Sequence, residues 1–537
     1  MSLEREVGTG RGQSTMKKTG RWRYVIGLFL LLLLVSHIVR WTNRSTINLR
    51  PDQTSMPLRV VDDGQLQDST ITAAYTWIAA DTTKYATPAT LVLLHGSPMA
   101  SMSMLALAEA LPDSFNILVP DLPGLGRSTR YIPDYSVAAH AIYLDQMLDT
   151  LEINQAHFIA YSMSGGVAIE SYARTPEKIK SVVMLSAIGV QELELLGSYE
   201  MNRAVHGLQL AFLWGIQELT PHMGYLDDAL LNTSYARNFY DTDQRPLREI
   251  LEQYEGPMLI LHGKEDMQVP LEAAQEHERI VPQSTLVAFE GGHGLVFQPS
   301  TAFVDTLTSF IHTADQGTAL TKSTASDTRI AAAEIPFKKE AFPKAEGLTL
   351  LVYMLLIALT TLVTEDGASI GAGLLVAQGT MNYLPAMLAC LIGIIVGDVL
   401  LFLAGRHISG PLLSRAPFKW FFSKDAIESA SKWVSRRGAI VIIASRFIPG
   451  SRLPTYVAAG SLGLSIWKFL FYFIIASIMW TPLLVWFAVI FGEQLLTQFL
   501  DVYETYALWI FLGLLVGIWG LIKLIVPMFS HEGRRGL

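Results

Sequence analysis

The apolar residues divide the chain into four unlike stretches. Residues 24–39, Y-V-I-G-L-F-L-L-L-L-L-V-S-H-I-V, form one unbroken apolar run behind a polar, basic lead. From about 65 to 310, apolar residues come in short runs bounded by turn residues. These are A-T-L-V-L-L (89–94), F-N-I-L-V (115–119), A-H-F-I-A (156–160), S-V-V-M-L (181–185), M-L-I-L (258–261) and S-T-L-V-A-F (284–289). Helix-length segments separate most of them, which predicts a mainly parallel sheet with crossover helices. Residues 313–346 lose this periodicity and read as a linker. After Gly347, apolar density rises at 348–364, 370–404, 439–449, 467–492 and 506–527, interrupted by Gly, Pro or a charge. That density predicts an all-α polytopic membrane domain, with broken or re-entrant segments beside full spans.

Composition sharpens this division. A chain of 537 residues exceeds what one core organises, so two or three domains are expected. Only 16% of residues are charged and the mean hydropathy is +0.33, both pointing to a membrane component. The net charge of −8 argues against a nucleic acid partner. Cys390 is the sole cysteine, which excludes an intrachain disulfide, and no zinc pattern occurs; no cofactor or metal is expected.

The lead, residues 1–23, carries Arg5, Arg11, Lys17, Lys18, Arg21 and Arg23. The apolar run ends in R-W-T-N-R without a small-x-small cleavage site, so an uncleaved signal anchor is expected over 24–41. The basic lead favours a cytoplasmic N-terminus and an extracytoplasmic soluble domain, while Arg40 and Arg44 beyond the run weigh the other way.

The stretch F-I-A-Y-S-M-S-G-G (158–166) carries the first candidate chemistry. An acyl-transfer serine needs presentation on a sharp turn, a histidine to take its proton, and an acid to hold that histidine's tautomer. A strand running into a tight turn and helix, with small flanking residues, meets the first need. Ser162 and Ser164 both have suitable neighbours. A nucleophile at Ser164 would extend the strand two residues past its apolar run, so strand length favours Ser162. Downstream, Asp266 and the neighbouring Glu265 follow one predicted strand, and His293 follows another in G-G-H-G. All sit beyond strand carboxyl ends, where open α/β sheets build sites. The order Ser, Asp, His is a known triad order. Upstream, H-G-S-P (95–98) ends a strand in a tight turn, making the backbone N–H groups of Ser97 and Met163 candidate oxyanion donors.

Together H-G-S-P (95–98), D-L-P-G-L-G-R-S (121–128), A-Y-S-M-S-G-G (160–166), H-G-K-E-D (262–266) and G-G-H-G (291–294) resemble the α/β-hydrolase family over about residues 70–312. The resemblance implies Ser162 as nucleophile, Asp266 rather than Glu265 as acid, and His293 as base. It implies structural roles for His95, Asp121 and His262. A serine nucleophile implies ester, thioester or amide chemistry. The usual G-x-S-x-G is here A-x-S-x-S, which adds a Cβ to a crowded turn. The family also implies a lid over about 187–255, here bearing Leu193, Leu195, Leu196, Met201, Leu208, Leu210, Phe212 and Trp214.

Charged residues within apolar segments are expensive in lipid and mark function or pairing. Glu365 and Asp366 close the first apolar segment, Asp398 interrupts the second, and Arg446 and Arg452 bracket R-F-I-P-G-S-R, where Pro449 and Gly450 break a helix. Two readings stand side by side: a site for a phosphate headgroup or proton relay, and a structural ion pair. G-D-V-L-L-F-L-A-G-R-H (397–407), S-R-F-I-P-G-S-R (445–452) and V-A-A-G-S-L-G-L-S-I-W-K-F (457–469) resemble the DedA, or SNARE-associated Golgi protein, family over about 345–500. That resemblance implies two facing re-entrant hairpins and lipid transport or scrambling. The stretch I-G-A-G lacks the proline and second acid of many members, which weakens proton coupling more than lipid passage. Lys523, Arg534 and Arg535 lead to the expectation of a cytoplasmic C-terminus.

The sequence therefore predicts a basic lead (1–23), an anchor (24–41), an α/β-hydrolase domain (60–312), a linker (313–346) and a DedA-like domain (347–530). The expected function is a membrane-anchored serine esterase fused to a lipid transporter, with membrane lipids and an acyl-ester or lipid substrate as partners. The competing expectation is a transporter whose hydrolase-like domain only binds or regulates.

Overall fold

The computed structural model describes residues 19–43, 48–193, 199–227, 229, 232–266, 268–337, 344–362, 364–377, 379–407, 432–434, 437, 440–446 and 451–491. Helix α1 (Thr19–Asn43) carries the first apolar run. An eight-stranded sheet follows, built from β1 (Gln53–Asp62), β2 (Gln65–Ile78), β3 (Ala89–Leu94), β4 (Phe115–Pro120), β5 (Ala156–Tyr161), β6 (Ile179–Leu185), β7 (Met258–Gly263) and β8 (Thr285–Phe289). Its order is β1-β2-β4-β3-β5-β6-β7-β8. The β1–β2 and β2–β4 pairs are antiparallel, and every pair from β4–β3 to β7–β8 is parallel.

The six parallel-sheet strands lie where the apolar runs place them, but the β1–β2 hairpin was not anticipated, and the sheet begins at Gln53 rather than near residue 60. Asp63 and Gly64 turn it with φ of +47° and +69°, the two-residue left-handed turn that D-G favours. A register shift between Arg59 and Val61 moves the buried positions from Met56 and Leu58 to Val61. This bulge breaks the period of two and hides β1 from pattern reading.

Helices cover both sheet faces. On one face α3 (Val137–Thr150), α4 (Ser164–Arg174), α7 (Arg245–Gln253) and α8 (Leu271–Ile280) bury residues such as Leu144, Val167, Leu251 and Ile280 against Phe158 and Ile260. On the other, α2 (Leu105–Ala110) and α9 (Thr301–Asp315) bury Leu107, Phe303 and Leu307 against Leu93 and Ile159. Between β6 and β7 lie α5 (Tyr199–Leu219) and α6 (Thr233–Asp241) before α7. Because Leu247 and Leu251 of α7 are fully buried in the sheet's core, the lid is shorter than the 187–255 expected.

The stretch read as a linker also carries structure. Within it α10 (Asp327–Ala333) and its flanks lie along the hydrolase domain. Arg329 Nη2 donates to the carbonyls of Glu278 (2.7 Å) and Ser284 (3.2 Å), and Arg279 Nη1 to those of Ala332 and Ile335 (both 2.8 Å). Polar side chains binding backbone leave no apolar period to read.

The C-terminal region is helical: α11 (Gly347–Thr361), α12 (Glu365–Ala377), α13 (Tyr383–His407), α14 (Ile440–Arg446), α15 (Arg452–Ser461) and α16 (residues 466–491). Among the described residues, α13 and α16, of 25 and 26 residues, are long and apolar enough to cross a membrane. Small residues let these helices touch. A Cβ on Gly405 would collide with the Val457 carbonyl, and one on Gly460 with that of Phe402, so α13 and α15 meet backbone to backbone.

Candidate functional site

Parallel pairing brings the carboxyl ends of β3, β5, β7 and β8 to one edge, and each delivers a part of the site. Strand β5 ends at Tyr161, and Ser162 turns the chain into α4 with φ of +56°. A left-handed non-glycine residue of this kind stores about 1–3 kcal/mol and persists only where its surroundings enforce it. Here the Ser162 N–H donates to the Leu185 carbonyl (2.9 Å), while its own carbonyl accepts from Gly165 (3.0 Å) and Ile188 (3.1 Å). The turn projects a half-buried hydroxyl.

His293, in the loop after β8, meets that hydroxyl: Ser162 Oγ lies 3.0 Å from His293 Nε2. On the other side of the ring, His293 Nδ1 lies 2.8 Å from Asp266 Oδ2. Asp266 follows β7, and its Oδ1 accepts the backbone N–H groups of Gln268 (2.9 Å) and Val269 (3.0 Å). Burial alone would raise the Asp266 pKa. The hydrogen bond and charge of His293, with those two N–H groups, outweigh it and hold the carboxyl below its ordinary value. An ionised Asp266 fixes the Nδ1–H tautomer and leaves Nε2 as acceptor for the serine proton. Glu265, by contrast, is exposed.

Ser164 has a different occupation. It is fully buried in the first turn of α4 and donates its hydroxyl to the His95 carbonyl, tying α4 to the end of β3. The second small position of the motif thus tolerates a Cβ because its hydroxyl finds a partner. The crowding falls one residue later: a Cβ on Gly165 would lie 2.6 Å from Ala187 Cβ and 2.7 Å from the Ile188 carbonyl.

The residues read as structural hold the loops. Buried His95 binds the Gly96 carbonyl through Nδ1 (2.8 Å) and accepts the Leu122 N–H at Nε2 (3.1 Å); burial pushes its pKa down. Asp121 accepts N–H groups of Ser101 (2.7 Å) and Arg127 (2.9 Å). His262 donates to the Val269 carbonyl (2.9 Å), bracing the loop of Asp266.

Two contributors escaped the sequence reading. Tyr161 donates its hydroxyl to the His293 carbonyl (3.1 Å), and its ring lies 5.1 Å from the imidazole, steadying the histidine loop. Gly96 sits against the serine: a Cβ there would lie 2.8 Å from Ser162 Cβ. The glycine of H-G-S-P was the available signal, since close backbone approach demands glycine.

The membrane-domain charges converge from separate helices. Arg446 donates through Nη1 to Asp398 (3.2 Å) and through Nη2 to Glu365 (3.0 Å), and Arg452 also pairs with Glu365. The Arg446 and Asp398 side chains are 1% and 2% exposed. Asp366 stands apart, exposed, and accepts the Trp480 indole N–H (3.4 Å). Pro449, Gly450, Leu195, Leu196, Arg44, Lys523, Arg534, Arg535 and residues 1–18 lie outside the described residues.

Residues 89–299 match the model of the alpha/beta hydrolase fold, and residues 366–489 match that of the VTT domain. The chain joins an α/β-hydrolase domain to a VTT, or DedA-family, domain. The α/β-hydrolase part is 29% identical over 228 residues to a putative carbamate hydrolase, RutD, of Pseudomonas syringae, covering 38% of this chain and 86% of that one. The VTT part is 28% identical over 122 residues to undecaprenyl phosphate transporter A of Bacillus subtilis, covering 23% of this chain and 62% of the relative. The crystal structure of bromoperoxidase from Bacillus anthracis aligns with 48% of this chain and all of its own, at 19% identity and a TM-score of 0.38. The protein is thus a membrane protein with a hydrolase-fold domain.

Proposed function

We propose that the α/β-hydrolase domain is a serine esterase acting through Ser162, His293 and Asp266. The hydrogen-bonded chain from Ser162 Oγ through His293 to the ionised Asp266 is the observation that carries this reading. Ser162 Oγ attacks the ester carbonyl carbon while its proton passes to His293 Nε2. The carbonyl electron pair moves onto oxygen, where the backbone N–H groups of Ser97 and Met163 receive it; Met163 stands at the N-terminus of α4, whose dipole adds to the effect. The tetrahedral species collapses, the C–O bond breaks, and His293 returns the proton to the departing alkoxide. A water molecule then repeats the sequence on the acyl-serine, releasing acid and restoring Ser162.

The test is active-site labelling of the full-length protein with a fluorophosphonate, followed by mass mapping. One modified peptide, containing Ser162, is expected. Absence of labelling in folded protein would leave the domain as a binding module.

A second reading concerns the VTT domain: passage of an anionic lipid. Among the described residues the buried Arg446 Nε has no partner, so the guanidinium held by Asp398 and Glu365 retains a donor for a phosphate oxygen. At 1.5 Å per residue α12 and α15 are about 20 and 15 Å long, short of the roughly 30 Å hydrocarbon core, which favours paired re-entrant segments over full spans. Flux of a fluorescent polyprenyl phosphate across proteoliposomes tests this reading; no acceleration over empty liposomes overturns it.

A further inference from the structure

The lid helix α5 and the N-terminal helix α1 are joined by a buried polar lock that neither esterase chemistry nor lipid passage uses. Arg40, near the end of α1, donates through Nε and Nη2 to the two carboxylate oxygens of Asp227 (2.9 and 3.0 Å). It also reaches Glu218 Oε1 (2.9 Å) and the Gln217 carbonyl (3.2 Å), with its side chain 4% exposed. Ser36 Oγ accepts the backbone N–H groups of His222 (3.1 Å) and Met223 (2.9 Å), and His37 Nε2 donates to the Glu218 carbonyl (3.0 Å). The final carbonyls of a helix lack partners within it and carry negative partial charge. α1 therefore supplies both hydrogen bonds and a cation to the end of α5.

The lock fixes the lid's level. Ser36 lies inside the apolar run 24–39, about 6 Å along the helix from Arg40. The loop bound to Ser36 consequently stands beside the last turn of that run, not above it. One face of α5 is exposed and apolar from Val205 to its C-terminal end. Val205, Phe212, Ile216 and Leu219 are 43, 66, 39 and 64% exposed. Their spacings of seven, four and three residues gather them into an arc of about 60° at 100° per residue. Leu31 and Leu34 of α1 are likewise 55 and 57% exposed.

We propose that this stripe lies in the lipid leaflet at the C-terminal end of α1, making the lid a membrane-embedded element held by the anchor. The proposal rests on reading residues 24–39 as a membrane anchor, and does not need Ser162 to be a nucleophile. The occupant is the bilayer already holding α1, because one rigid polar lock sets both helices at one depth.

Nitroxide accessibility in the full-length protein tests this. In a Cys390→Ser background, single cysteines replace Phe212, Ile216, Leu31 of α1, or exposed Glu109 of α2 as an aqueous reference. Each is labelled and reconstituted in phosphatidylcholine–phosphatidylglycerol vesicles. Labels at 31, 212 and 216 should be relaxed more by oxygen than by a water-soluble nickel chelate, and the label at 109 the reverse. Water-like behaviour at 212 and 216 with lipid-like behaviour at 31 overturns the lid's placement. Water-like behaviour at 31 removes the anchor and the inference together. In an Arg40→Gln variant, labels at 212 and 216 should gain nickel accessibility while 31 keeps its lipid signature. Unchanged depth there overturns the lock. Fluorophosphonate labelling, measured separately, reports on the esterase reading alone.

Discussion

The two domains each bury carboxylates, and they satisfy them in opposite ways. In the α/β-hydrolase domain, Asp266 is held by one imidazole and two backbone N–H groups, and the chain of hydrogen bonds ends at a half-buried hydroxyl. In the VTT domain, Glu365 and Asp398 meet the full charges of Arg446 and Arg452 from other helices. The first arrangement is asymmetric and leaves one end free to react. The second balances two anions against two cations, as a low-dielectric interior demands, because an unpaired charge there is prohibitive. A relay needs an open end, whereas a charge cluster needs its charges matched, even where a donor such as the Arg446 Nε is left over among the described residues.

The largest expected effect tests the open end. Ser162→Ala should abolish fluorophosphonate labelling and lower ester hydrolysis by about 10⁴–10⁶-fold. Polyprenyl phosphate flux should remain in that variant; its joint loss would show that the two networks are not separable. Asp266→Asn should lower kcat by about 10⁴-fold by releasing the histidine tautomer, while Glu265→Gln should leave it unchanged. Equal losses in the two variants would remove the distinction between the acids.

The charge matching is tested by Arg446→Ala, which leaves Asp398 without its guanidinium. About 3–5 kcal/mol of stability should be lost, read as reduced thermal stability in detergent, with labelling at Ser162 retained until unfolding. A smaller effect is expected at the neighbouring serine. Ser164→Ala should retain labelling and lose about 1–3 kcal/mol, since the buried His95 carbonyl loses its donor. Loss of labelling in that variant, with folding intact, would reassign the nucleophile.

The smallest effect is in pH. Asp266 has a folded-state pKa below its ordinary 3.8, so its stabilisation is complete above that value and disappears as pH falls through the folded value. Wild type should therefore lose more stability than Asp266→Asn as pH drops below about 3.8 in denaturant titrations. Parallel curves would show that the carboxylate is not preferentially ionised in the folded state.

How far these features were readable varied with their physics. The parallel strands β3–β8 were legible because continuous apolar runs bounded by turn residues record burial on both faces. The serine, acid and base were legible from residue type at strand ends. The β1–β2 hairpin was not, because its bulge broke the alternation, although Asp63-Gly64 was a usable turn signal. The segment around α10 was missed because arginine-to-backbone bonds dock it, Arg279 onto its carbonyls and its own Arg329 onto those of Glu278 and Ser284, and such bonds leave no periodic trace. Asp366 looked like part of the membrane cluster by adjacency, yet on a helix successive residues point about 100° apart, and only Glu365 turns inward.

The sequence by itself determined the two-domain organisation, the parallel sheet and the identity of Ser162, Asp266 and His293 as candidates. These depend on local pattern and residue chemistry, which the chain carries in order. Tertiary structure alone decided that Ser164 ties α4 to His95, that Gly96 lies against the nucleophile, and that Arg40 grips the end of the lid. Those facts join residues 69, 66 and 187 positions apart. Distances across so much chain arise from packing, and packing is set by the whole core rather than by any segment of it.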